Sequence, residues 1–77
     1  MAYTITAYNY SHSDYNEPYL KRSMENREAA VKVAETEFKR LSSVGYGRVQ
    51  VAVVNPVTGY HDNTPIWKRE KNFPVNY

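Results

Sequence analysis

The stretch NREAAVKVAETEFKRL, residues 26–41, sets apolar side chains at Ala30, Val33, Ala34, Phe38 and Leu41. Spacing of three and four residues gathers them on one stripe of an α-helix, the face that must be buried against something. Asn26 is a good N-cap, because its side chain can accept from a backbone N–H that the first turn leaves unpaired. Glu28 follows where the helix dipole favours negative charge. Glu28–Lys32 and Glu35–Lys39 stand four apart in the favourable order and mark the wet side. The mixed charges of Glu25, Arg27, Glu37 and Arg40 read the same way, as a solvated face. Beyond Ser42 and Ser43, Gly45 supplies a stop signal and Gly47 a loose turn.

On either side of this helix the period drops to two, the signature of strands. Tyr3, Ile5 and Ala7 alternate with Thr4, Thr6, Tyr8 and Tyr10, which predicts a strand from Tyr3 to Tyr10. The polar run SHSDYNEP, residues 11–18, predicts a loop, and Tyr19 to Met24 a second strand paired to the first. Arg48 to Asn55 has Val49, Val51 and Val53 on one face and Gln50, Ala52 and Val54 on the other. NPVTG, residues 55–59, carries proline and glycine at positions that suit a turn. A return strand is expected from Tyr60 to about Trp67, at a sheet edge because Pro65 cannot donate to a ladder. Residues 68–77 are expected to form a C-terminal tail.

The expected fold is thus α+β: a single helix on one face of a roughly four-stranded antiparallel sheet, in the order β-β-α-β-β. One helix covers one face. The other should carry Thr4, Thr6, Tyr8, Tyr10, Gln50, Ala52 and Val54, which is unusually aromatic, so either the tail or a partner should cover it.

Seventy-seven residues make a single domain, 1–77, near the low end of what folds unaided. Without cysteine, neither a disulfide framework nor a Cys-based zinc site can be built. No apolar run approaches the roughly 18 residues of a membrane span. The opening MAYTITAY lacks the basic and leucine-rich segments of a signal peptide, and a cytoplasmic location is expected. A net charge of +2 is too small to announce a nucleic-acid protein by itself.

Catalytic residues are hard to find. His12 with Asp14, and His61 with Asp62, could nominally supply metal donors, yet both pairs fall in loop stretches where such residues are ordinarily solvated. No serine lies on a recognisable nucleophile turn. Gly45-Tyr46-Gly47 follows a helix, whereas a phosphate cradle precedes one. No enzyme, metal or cofactor is expected.

Eight tyrosines point instead to binding, since each offers a large ring with a polar tip. Tyr8, Tyr10, Tyr15, Tyr19 and Tyr60 are the candidate aromatic anchors, with Arg22, Arg48, Lys68 and Arg69 as charged contacts at the rim. The alternative is single-stranded nucleic acid, its bases stacked on Tyr8, Tyr10 and Tyr60 and its phosphates held by Lys and Arg, Lys21 and Lys71 included. A monomer or homodimer fits either.

The succession of a tyrosine-bearing strand, a second strand, SMENREAAVKVAETEF and GRVQVAVVNPVTG resembles small phage-encoded proteins that disable host machinery. Certain type I anti-CRISPR proteins and the small phage inhibitor of bacterial RNA polymerase share this strand–strand–helix–strand plan. Glu28, Ala29, Ala30, Val33 and Ala34, then Val49 and Val51, carry the likeness, which covers roughly residues 19 to 60. It implies inhibition by occluding a surface of a host protein or ribonucleoprotein complex. Nearly all matching positions are core positions, so no functional residue transfers with it.

Overall fold

A computed structural model describes residues 2–10, 17–59 and 64–72. Strands β1 (Ala2–Asn9), β2 (Leu20–Met24), β3 (Gly47–Val54) and β4 (Trp67–Lys71) form one antiparallel sheet, with helix α1 (Arg27–Val44) between β2 and β3. The strand order is β2-β1-β3-β4. Both β2 and β3 run antiparallel to β1, hence parallel to each other, and α1 carries the chain across β1 between them. The α+β expectation therefore holds.

Faces are assigned as the alternation predicts. Ile5 and Ala7 of β1, Val49 and Val51 of β3 and Ala30, Ala34 and Leu41 of α1 form the buried core. Tyr3, Leu20, Met24, Val33, Phe38 and Trp67 pack around it. Asn26 caps the helix, its Oδ1 accepting from the Ala29 N–H at 2.9 Å. Gly45 ends it with an N–H donated to the Leu41 carbonyl, but in extended backbone (φ 175°) and not in the left-handed region expected of a glycine stop. Among the described residues the helix ion pair that closes is Glu37–Arg40. Glu28–Lys32 and Glu35–Lys39 do not close, as exposed long side chains gain little by being fixed.

Three expectations change. Gly47 is not a loose turn: it is buried as the first residue of β3, paired with Asn9. The fourth strand is Trp67–Lys71, not Tyr60 to Trp67, so Lys68 to Lys71 belong to the sheet and not to a tail. It does lie at the edge. The NPVTG turn forms, with Gly59 at φ 77° and its N–H bonded to the Asn55 carbonyl at 2.8 Å. It does not fold the chain straight back, however, because the β4 register sets Trp67 against Val51.

The face away from α1 also differs from a bare aromatic platform. Thr4 and Thr6 are 4% exposed and Ala52 is 2% exposed, so this chain itself covers the centre of that face. From Thr4 to Ala7, β1 is buried on both sides.

Candidate functional site

The register brings the C-terminal end of β1, the N-terminal ends of β2 and β3 and the C-terminal end of β4 to one end of the sheet. Tyr8, Tyr10, Tyr19 and Tyr46 gather there. The Tyr10 N–H donates to the Tyr46 carbonyl, and the Tyr19 N–H to the Ala7 carbonyl, each at 2.9 Å.

On the face away from the helix, Tyr8, Arg48 and Glu70 form one cross-strand row. The Arg48 guanidinium lies over the Tyr8 ring, 4.4 Å from its centroid, a cation–π arrangement. The Arg48 Nε is buried without a hydrogen-bond partner. The Tyr10 hydroxyl donates to the Glu70 carboxylate. Burial, and then this bond to Glu70, push the Tyr10 hydroxyl up to about 12. The same bond holds the Glu70 carboxyl below its ordinary value.

On the helix side the Tyr19 hydroxyl donates to Glu37 Oε1 at 2.6 Å. Arg40 forks the same carboxylate, with its Nε 3.3 Å from Oε2 and its Nη2 on Oε1. The Arg40 bonds come first in holding Glu37 below its ordinary value. Tyr19, by burial and its bond to Glu37, is raised to about 12, although the residue as a whole is 43% exposed.

Lys71 also lies on the helix side. Its ammonium donates to the Ser42 carbonyl at 2.7 Å and lies 5.3 Å from the Tyr46 ring centroid. The last turn of α1 has no basic residue of its own. β4 therefore supplies the cation that a helix C-terminus favours.

Of the residues predicted from sequence, Tyr8, Tyr10, Tyr19 and Arg48 come together at this end. Arg22 is on β2, at the opposite edge from Lys68 and Arg69, whose own side chains point to different faces of β4. The Arg69 guanidinium rests over Trp67 at 5.1 Å. Tyr15 and Tyr60 lie outside the described residues, as do the His12–Asp14 and His61–Asp62 pairs. Sequence reasoning missed Tyr46, Glu70, Glu37 and Arg40 as members. Tyr46 was hidden by its two flanking glycines. Glu70 could have been found from the alternation of Trp67, Arg69 and Lys71 with Lys68 and Glu70.

Chemically, this end offers four aromatic rings, two of which, Tyr10 and Tyr19, have hydroxyls already paired with carboxylates. Among the described residues, no three His, Cys, Asp or Glu side chains converge as a metal ion would require. Elsewhere, an open groove of about 770 Å³ runs between the first turns of α1 and the start of β4, lined in part by Asn26, Val31, Ile66 and Trp67. Among the described residues no helix is long and apolar enough to cross a membrane. No protein-family model matches the sequence, and no curated protein or solved structure matches it.

Proposed function

We propose that this protein is a non-catalytic binding module that occludes a surface of a larger protein or ribonucleoprotein complex, using the tyrosine end of its sheet. The observation that carries the reading is the gathering there of Tyr8, Tyr10, Tyr19 and Tyr46, three of them held by named charged partners. Tyr8 is held by Arg48, Tyr10 by Glu70 and Tyr19 by Glu37, while Lys71 lies against Tyr46. Rings fixed before contact lose little conformational freedom on binding, so more of the contact energy appears as affinity. Aromatic and arginine side chains are also the ones that dominate binding energy at interfaces. The likeness to phage-encoded inhibitors supplies the class of partner: host machinery, met in the host cytoplasm.

The test is capture and identification of a partner from bacterial lysate, followed by affinities of variants. Tyr8→Ala and Tyr46→Ala should each weaken the identified complex by about 2 kcal/mol or more, roughly 30-fold, if they are anchors. Val57→Ala is the control, since Val57 is 91% exposed in the turn after β3, at the other end of the sheet. Equal affinities for all three variants would remove the tyrosine end from the interface. Single-stranded nucleic acid fits less well. Glu70 stands in the same row as Tyr8 and Arg48 and opposes a phosphate there.

A further inference from the structure

The two edges of the sheet are not equivalent. An edge strand presents unpaired N–H and C=O groups that can template another strand, and proteins commonly guard such edges with charge. β2 is guarded in this way. Its helix-side Arg22 and its opposite-face Lys21 and Ser23 include no acid. A second copy laid antiparallel about Arg22 would set lysine against serine on either side of the axis, with no acid to offset the cations.

β4 has a different pattern. Among the described residues it ends the sheet, and Lys68, Arg69, Glu70 and Lys71 are all exposed, Glu70 while accepting from Tyr10 and Lys71 while donating to the Ser42 carbonyl. Lys68 and Glu70 share one face, in register with Gln50 and Arg48, and straddle Arg69. Antiparallel pairing of two β4 strands about Arg69 keeps each face continuous. It places Lys68 opposite the partner's Glu70, and by symmetry Glu70 opposite the partner's Lys68. On the helix side Trp67 meets the partner's Lys71. The two Arg69 side chains meet at the axis, but each guanidinium is drawn along its own strand, over Trp67 at 5.1 Å and donating to the Lys68 carbonyl at 2.9 Å. Opposite charges directly across a strand pair are favourable, and a two-fold contact of this kind closes on itself without growing into a fibre.

We propose that this chain forms a two-fold dimer by pairing β4 with β4 of a second copy, joining two four-stranded sheets into one. The strand is only five residues long, so the interface is small and the dimer exchanges with monomer. Because its selectivity comes from exposed charge pairs, salt weakens it. The antiparallel arrangement sends the two tyrosine ends in opposite directions, with Glu70 shared between the dimer contact and the tyrosine end of its own copy.

Sedimentation equilibrium over a wide range of protein concentration tests this. The average mass should rise from 9.0 kDa toward twice that value, and rise less in high salt. Lys68→Glu sets Glu against the partner's Glu70, and Glu70→Lys sets Lys against the partner's Lys68. Each variant alone should remain monomeric, and the double variant should recover the dimer. A wild-type mass that never leaves 9.0 kDa overturns the proposal, as does a double variant that stays monomeric while folded. Because Glu70→Lys also removes the Tyr10 contact, amide exchange of the wild type provides a second reading. Protection of β4 amides should grow with concentration, and protection independent of concentration also overturns it.

Discussion

At the scale of single residues, two glycines are required for unrelated reasons. A Cβ on Gly47 would lie 2.1 Å from the Tyr8 carbonyl oxygen and 2.5 Å from Leu41 Cδ2. The first atom is backbone in the central strand and has nowhere to go. Gly47→Ala is therefore expected to cost about 1–3 kcal/mol or more, as overpacking of a tight core does. At Gly59 a Cβ meets nothing within 4 Å, but φ is 77°. There Gly59→Ala should cost only the left-handed penalty of about 1–2 kcal/mol. Denaturant midpoints of the two variants give the comparison. A milder effect at Gly47 than at Gly59 would contradict the close approach of β3, β1 and α1. Tyr10 and Tyr19 lend themselves to a titration. Both hydroxyls are pushed up to about 12, each first by burial and then by a carboxylate partner. A raised pKa means that folding favours the protonated form. That contribution is complete below the unfolded value near 10 and is lost as pH rises through about 12. Ultraviolet titration of tyrosinate should show two late-titrating groups, and Tyr10→Phe and Tyr19→Phe should remove one each.

At the scale of elements, the helix stands on the sheet through small residues. Ala30 and Ala34 are fully buried against the strands, and larger side chains, Val33 and Phe38, flank them. Ala34→Leu is thus expected to push α1 off β1 and β3 and to destabilise by about 1–3 kcal/mol. Thermal unfolding measures this, and an unchanged midpoint would mean that the helix can shift freely on the sheet. The same elements explain what could be read in advance. The stripe on α1 and the alternation in β1 and β3 are local patterns tied directly to burial, so their faces follow from the sequence. β4 has only Trp67 as an apolar helix-side residue. Its strand conformation comes from backbone pairing with β3, a non-local interaction that strand propensity reports poorly. The turn at NPVTG placed the expected return strand directly after it, from Tyr60. The site divides along the same line. Tyr8 and Arg48 are legible as strand residues of a known face, whereas the partners that fix the rings, Glu70 from β4 and Glu37 from α1, depend on register and on helix placement. Pairing partners in three dimensions have no signature in a linear chain of mixed charge.

At the scale of the whole molecule, the cations at the tyrosine end are engaged within the fold. Arg40 is paired with Glu37, Arg48 lies on Tyr8 and Lys71 holds the helix C-terminus. The net charge is only +2, and Glu70 stands among the cations at that end, which opposes a run of phosphates there. Binding at the tyrosine end should then depend weakly on salt. For an aromatic protein interface, raising monovalent salt from about 50 to about 200 mM is expected to change affinity by less than tenfold, because ring burial is not screened. A nucleic-acid ligand held by six or more phosphate contacts would lose about 10³-fold or more over the same range. The measurement is a binding isotherm for the captured partner and for a single-stranded oligonucleotide at each salt concentration. A weak slope for the partner together with negligible oligonucleotide binding is the result expected of a protein-occluding module. A steep slope with tight oligonucleotide binding would mean that the exposed lysines and arginines meet phosphate, and would overturn the protein-occluding reading.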